Sequence, residues 1–400
     1  SMNRWSHAAA LLLFAASSSV ACKPKTKLSP SGGASSNGPE SAAPLTISFA
    51  SEPEVVAKPM GALRRGINLG NGFDAPTLGA WGVTLGESHF EMAEAAGLDH
   101  VRLPVRFSAH AEQSAPYRID EDFFQKVDWA VDQATAHHLS IIVDLHHYEE
   151  LMKQPDAHVE RTVALWAQIA ERYANRPETV LFELLNEPCD QLDPTRLNAL
   201  YAKLIPVVRA KNPTRTLLVD SFFWAAPNYL RNLELPDDPN LVVTFHMYQP
   251  ILFTHQGASW MSAEFQTTGI IFPGPPRGAV TMASGAASTD WTRQWLENYV
   301  REPMATNPSS PRAVADEFER VTAYVKATGR RAYLGEFGAI DGADAVSREN
   351  YLRLVRREAE RRGFAWAIWD DGGRNQAMNV KSKSWVEPVR RALFEDQPAP

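Results

Sequence analysis

From Arg64 onward, short apolar runs alternate with longer segments whose apolar residues recur every three or four positions. The short runs are too brief for helices and suit buried strands. They fall at residues 65–68, 100–105, 139–146, 180–187, 216–220, 241–246, 331–336 and 364–369. Between them, Phe123, Phe124, Val127, Ala130, Val131 and Ala134 share one helical face behind Asp120, a predicted N-cap. Val163, Trp166, Ile169, Ala170 and Tyr173 repeat the pattern before Pro177, and Leu352, Val355 and Ala359 give a third, weaker face. Eight strands alternating with helices predict an α/β fold, a single (β/α)8 TIM barrel over residues 61–395. An open doubly wound sheet would alternate too. However, Gly66-Ile67-Asn68-Leu69-Gly70 has neither the glycine spacing of a dinucleotide loop nor a helix signal after it.

One segment breaks the rhythm. Residues 257–312 are rich in Pro, Gly, Ser and Thr, show little periodicity, and hold Trp260, Trp291 and Trp295. They are expected to be a long loop after the sixth strand, on the face where barrel loops build sites. Such a loop is either a cleft wall or a surface excursion.

Polar residues gather at the C-terminal ends of the runs: Arg102, His146 and His147, Asn186 and Glu187, His246 and Tyr248, Glu336, Trp369 and Asp370. Each alone has an ordinary structural explanation, a hydrogen-bonded core histidine or an ion-paired arginine. Together, at one end of a barrel whose interior should be apolar, they mark a site. Two runs end on glutamates, Glu187 and Glu336. An acid at the end of a buried strand is costly unless it is paired or used. Two carboxyl groups, one protonated and one ionised, cut a glycosidic bond with no cofactor and no metal. A separation of about 5 to 5.5 Å gives the covalent, retaining route. Arg102 would keep one of them ionised, Asn186 would meet a sugar hydroxyl, and Trp369 would stack under the ring.

Composition narrows the partners. The chain is 44% hydrophobic and 22% charged, ordinary for a globular protein, and its net charge of −7 speaks against nucleic acid or an anionic membrane surface. Eleven tryptophans are many, and serve core packing and sugar stacking alike. The two cysteines, Cys22 and Cys189, make neither a disulfide framework nor a zinc site. Cys189 follows the first glutamate, but nothing beside it supplies a base, so it reads as core filler.

The N-terminus has the order of a secretory signal: Arg4, an apolar run at 8–16, then small residues up to Cys22. The run is too short to span a bilayer. It resembles a bacterial lipoprotein leader in which Cys22 carries the lipid, although Ser19 stands where a larger aliphatic residue is usual; secretion without a lipid is the alternative. Residues 23–60 are expected to be a tether and lead-in, flexible for most of their length. The expected location is outside the cytoplasm, secreted or lipid-anchored in a bacterial envelope, with the chain a monomer.

A resemblance sharpens this reading. Arg65-Gly-Ile-Asn-Leu-Gly-Asn71, Val101-Arg-Leu-Pro-Val105, Asp144-Leu-His-His-Tyr148, Asn186-Glu-Pro188, His246-Met-Tyr248, Gly335-Glu-Phe-Gly338 and Ile368-Trp369 occur in the order seen in glycoside hydrolase family 5, the retaining cellulases and β-mannanases. The likeness runs over residues 61–390. It implies an endo-acting hydrolase of β-1,4-glucan, with Glu187 as general acid/base and Glu336 as nucleophile. It also implies that Arg102, His146, Asn186, His246 and Tyr248 frame the sugar at the cut, above Trp369. The residues from Asp144 to Leu151 and from Phe253 to Ala258 look most like relatives that cleave both glucan and mannan. In those, Asn71, Asp74, His147, His255 and Trp260 would also contact sugar. Asp370-Asp-Gly-Gly-Arg374 departs from the family pattern and leaves the preferred polysaccharide open between β-glucan, mannan and xyloglucan. Two other classes remain: a metal-dependent barrel hydrolase using Asp144, His146, His147 and the glutamates, and a carbohydrate-binding barrel without catalysis. The first suffers because adjacent strand residues point to opposite faces.

Overall fold

Eight parallel strands close into a barrel in sequence order: β1 Arg65–Asn68, β2 His100–Val105, β3 Ser140–Leu145, β4 Val180–Glu183, β5 Leu217–Asp220, β6 Leu241–Met247, β7 Arg331–Phe337 and β8 Ala365–Ile368, with β8 pairing back onto β1. The computed structural model describes residues 55–56, 58–282 and 289–395. The expected leader and lipid-bearing Cys22, with tether residues 23–54, lie outside the described residues.

Period-2 alternation along the strands explains both the barrel's floor and its charge. Ile142, Leu181, Leu218, Val242 and Tyr333 point inward and pack with Met60, Leu63, Ala365 and Ala367. Met60 and Leu63, just before β1, close the N-terminal mouth. Two residues further along β3, β4, β5 and β6 the same inward positions turn polar: Asp144, Glu183, Asp220 and Thr244, all fully buried. The intervening residues face outward against helices, as Phe182 does against Trp166 and Phe245 against Phe318. The helix Glu121–Ala136 starts at Asp120, whose side chain accepts from Phe123 N, and buries all six residues of its predicted face. Val163 leaves the second predicted face, but Trp166, Ile169 and Ala170 are buried on Pro155–Arg172.

The strand ladder stops earlier than the sequence predicts in three places, at β3, β4 and, by one residue, β8. β3 ends at Leu145 and β4 at Glu183, so His146, His147, Asn186 and Glu187 lie beyond the strands. Leu184 and Leu185 are as buried as strand residues, and an apolar run cannot distinguish the two states.

The described residues divide into two compact units. All eight strands belong to one. The other comprises Gln249–Ala313 and Ala339–Tyr351, and corrects the expectation of an irregular loop. The helix Asp290–Arg301 buries Thr292, Leu296 and Tyr299, a helical spacing that the surrounding Gly and Ser obscure. Phe253, Phe272 and Tyr351 pack with ring centroids 5.4 to 5.6 Å apart. The Gln256 amide donates to Ile270 O and accepts from Ile270 N, replacing a strand partner. Among the described residues no helix is long and apolar enough to cross a membrane.

Candidate active site

Arg102 is the hub of the buried polar layer. Its Nε and Nη2 donate to the two oxygens of Glu183 at 2.7 and 2.6 Å. Nη2 also donates to Asn186 Oδ1 at 2.7 Å, and Nη1 donates to Asn68 Oδ1 and Glu336 Oε1, both at 2.8 Å. Asp144 Oδ2 stands 3.1 Å from Nη2. One planar guanidinium thus fixes side chains from β1, β4 and β7 and from the turn beyond β4, which a lysine could not do. Burial pushes Asp144 and Asp220 well above the carboxylate range despite Arg102. Glu183 meets the same burial, but the charge and hydrogen bonds of Arg102 outweigh it and keep the group ionised.

A bulge sets the register at the site. Phe245 pairs with Leu334 but His246 pairs with Glu336, so Gly335 is the extra residue on β7. A Cβ on Gly335 would stand 2.6 Å from Thr244 Cγ2 and 2.9 Å from His246 Nε2; only glycine lets that ring lie across from Glu336. Gly70 does similar work, since a Cβ there would stand 2.7 Å from the Trp369 ring.

Glu187 reaches the same pocket by a different route. It follows β4 with φ at 47°, a left-handed conformation rare outside glycine. Its backbone N–H donates to Asp220 Oδ2 at 2.9 Å, and Asp220 is itself pinned by Tyr201, whose hydroxyl donates to Asp220 O at 2.9 Å. Carboxylate oxygens of Glu187 and Glu336 and a nitrogen of His246 all lie within 4.8 Å of one another. His246 Nδ1 bonds Glu187 Oε1 at 2.8 Å, and Tyr248 donates its hydroxyl proton to Glu336 Oε2 at 3.0 Å. Burial pushes Glu187 up, but the hydrogen bond and charge of His246, with Arg102 and His147, bring it below its ordinary value. Glu336 is raised: burial and the Glu187 charge outweigh His246, Arg102 and Tyr248. Burial pushes His246 down, yet the charge of Glu336 and the hydrogen bond and charge of Glu187 leave it raised.

The remaining predicted residues divide between the units. In the barrel unit, the His146 ring lies parallel to Trp369 with centroids 5.7 Å apart, and its Nδ1 bonds Asp144 Oδ2 at 2.5 Å. His147 meets His146 edge to face at 4.5 Å, so the alternation argument against joint use of the two histidines fails: both lie past the strand. Asn71 donates to Asp371 O at 3.0 Å, tying the loop after β1 to the loop after β8. Asp74 is fully buried, and burial first, then the Glu336 charge, lift it to about 7. Backbone N–H groups of Asp74 and Asn71 pull the other way from short range, yet neither of its oxygens has a partner with hydrogen-bond geometry. His255 and Trp260 belong to the other unit. His255 Nδ1 contacts Thr254 Oγ1 at 2.9 Å, and Trp260 is 48% exposed. Cys189 is buried, and burial raises its thiol, as a filler role requires.

Sequence patterns do not single out Glu183, Asp220 or Asn68. The signal was present as an acid or amide at the inward phase of an apolar run. Trp81 has no such signal; it lies in a glycine-rich loop, is 42% exposed, and meets His147 edge-on at 5.6 Å.

Endoglucanase H of Acetivibrio thermocellus is 30% identical over 84% of this chain, which spans 31% of that relative's length. A hyperthermophilic endo-β-1,4-glucanase solved with substrate is 34% identical, with a TM-score of 0.72 over 84% of this chain and 97% of its own. Thermotoga maritima Cel5A solved with mannotriose is also 34% identical, with a TM-score of 0.70 over 83% of this chain and 97% of its own. The family model for cellulases matches residues 65–375. The chain belongs to the cellulase family, glycosyl hydrolase family 5, and is a glycosidase with an endoglucanase-like barrel.

Proposed function

We propose that the protein is a retaining endo-β-1,4-glucanase in which Glu187 is the acid/base and Glu336 the nucleophile. The observation that carries this is the pair of carboxyl groups with oxygens within 4.8 Å, each with different partners. That spacing suits direct attack on the sugar carbon and leaves too little room for a water between nucleophile and sugar. Two like charges so close do not both ionise easily, so the pair tends to keep a proton. Glu336 takes two donors, one of them the permanent cation Arg102, while Glu187 takes only the His246 nitrogen. A glycosidic oxygen beside Glu187 draws the pair's proton there, and Arg102 and Tyr248 keep the charge on Glu336. Without substrate the surroundings lower Glu187 and raise Glu336, so the bound glycosidic oxygen has to tip the balance. Glu336 then attacks the anomeric carbon as Glu187 protonates the leaving oxygen. In the second half Glu187 takes a proton from a water whose oxygen attacks the anomeric carbon, and the ester bond to Glu336 breaks. No cofactor enters these steps. Asn186 faces the 2-hydroxyl, Trp369 and His146 form the ring platform, and Asn71, Asp74 and His147 contact neighbouring sugars. Such a polymer is met outside the cytoplasm, where a leader at residues 1–22 would send the chain.

The second reading is a glucomannan hydrolase. It is favoured by the buried, unpartnered Asp74 carboxyl, which a differently placed sugar hydroxyl would satisfy, and by the mannotriose complex of the Thermotoga relative. Reducing-sugar release from carboxymethyl cellulose, mixed-linkage glucan, xyloglucan and glucomannan tests both, with Glu336→Ala as the blank. Release mainly from glucans supports the first reading, preference for glucomannan the second. No release above the blank overturns both.

A further inference from the structure

Three groups of side chains in the barrel unit bring histidine nitrogens and carboxylate oxygens within 4.8 Å of one another: Glu187 with His246 and Glu336, Glu183 with Asp220 and His246, and Asp74 with His146 and His147. They are not equivalent for a cation. In the first, Arg102 already stands 2.8 Å from Glu336, so an incoming ion meets a guanidinium. In the second, every member is buried and both oxygens of Glu183 are taken by Arg102. The third has neither obstacle.

Asp74 is fully buried, and apart from the backbone N–H groups of Asp74 and Asn71 nearby, neither oxygen has a partner with hydrogen-bond geometry. A buried carboxyl left this way costs free energy until something enters to meet it. His147 Nε2 stands 3.8 Å from Asp74 Oδ2, too far for a hydrogen bond and about 0.5 Å wider than two such ligands on one tetrahedral ion, a gap that a small side-chain rotation closes. His146 commits Nδ1 to Asp144, which fixes the ring and leaves Nε2 for a ligand. A carboxylate behind a ligating histidine is the usual outer support of a metal site. The His147 side chain is 36% exposed, which provides the entry path that the sealed second group lacks.

We propose that Asp74, His146 and His147 form a site for a divalent transition-metal ion of the zinc class, held by two imidazole nitrogens and one carboxylate oxygen with a fourth position open to water. Two nitrogens and one oxygen suit zinc, cobalt or nickel, and do not suit magnesium or calcium. The ion plays no part in bond cleavage. It occupies the wall that the proposed function gives to a sugar, so metal and saccharide exclude each other. The binding itself stands on the geometry alone; only the competition rests on the proposed function.

Calorimetric titration of the metal-stripped full chain with zinc sulfate tests this. One zinc per chain is expected, with affinity at least about 10-fold weaker in both His147→Gln and Asp74→Asn. Cobalt(II) supplies a second readout, the visible absorption of a four-coordinate ion, lost in both variants. Thermal melts establish that each variant is folded, and either one alone suffices. Absence of stoichiometric binding, or binding that both folded variants keep, overturns the site. A final arm repeats the zinc titration on Glu336→Ala saturated with cellotetraose. Weakened zinc binding supports the exclusion. Unchanged zinc affinity there leaves the metal site standing and instead removes the sugar from this wall.

Discussion

Replacing Arg102 by methionine tests the buried layer most severely. The substitution keeps an unbranched apolar chain of similar reach and removes five hydrogen bonds, to Glu183, Asn68, Glu336 and Asn186. Asn68 and Asn186 are neutral, and each amide oxygen left without its donor costs about 1–3 kcal/mol whatever the pH. Glu183 decides the result. It is fully buried and its ionised form depends on Arg102, so the variant strands a charge at a cost of about 3–5 kcal/mol. The pH dependence follows with a definite sign. In the wild type Glu183 is held below its ordinary value, so its contribution is present at neutral pH and fades as pH falls. In the variant only the smaller contributions of His246 and Asp220 oppose burial, which raises it, so stability is fullest in acid and is lost as pH rises through the new folded-state pKa. Urea unfolding followed by tryptophan fluorescence should therefore show a smaller penalty near about pH 4 and the full penalty near about pH 8. Adding Glu183→Gln should return about 2 kcal/mol or more at the higher pH. An equal penalty at both pH values, or no recovery in the double variant, would refute the idea that Arg102 exists to balance this layer.

Other perturbations have equally definite outcomes. Gly335→Ala forces a Cβ to 2.6 Å from Thr244 and 2.9 Å from His246, and should cost about 1–3 kcal/mol in denaturant while kcat falls more than KM changes. Asp220→Ala frees the backbone N–H of Glu187; kcat should drop at least about 10-fold with KM little moved, and the limb of the pH–rate profile assigned to Glu187 should shift, with Asp220→Asn recovering part of the loss. Asp74, lifted to about 7 from 3.8, holds its proton in the folded state between those values while the unfolded chain ionises, so wild-type stability falls across that interval. Asp74→Asn removes the slope, and the stability difference between the two proteins should change by about 4 kcal/mol from pH 4 to pH 8, read by urea unfolding.

How far the sequence could be read depended on which physical rule governed each residue. The eight strands were legible because inward and outward positions are both buried in this barrel, which leaves unbroken apolar runs. The helix at Glu121–Ala136 was legible because its cap and apolar face agree. Glu187 was recognisable, but not the way it is placed. A left-handed residue after the strand, held by an acid on β5, leaves no local trace beyond the proline that follows. The same holds for His147, whose direction depends on where the β3 ladder stops. Glu183 and Asp220 were hidden for a different reason. Asp220 closes its apolar run and looks like a strand end meeting solvent, Glu183 merely interrupts one, and only the closed barrel shows that both are buried in the layer around Arg102. The second unit was obscured by composition, because the residues around Asp290–Arg301 carry turn formers that mask a helix of ordinary periodicity.

The central claim is that Glu336 attacks the sugar directly while Glu187 supplies the proton, because their oxygens stand within 4.8 Å. The anomeric configuration of the first product reports on it. Proton NMR of a short β-glucan oligosaccharide, recorded in the first minutes of hydrolysis before mutarotation, should show the β-anomer building first and the α-anomer only later. An α-anomer that appears first would mean that water, not Glu336, attacks the sugar, and would contradict the account.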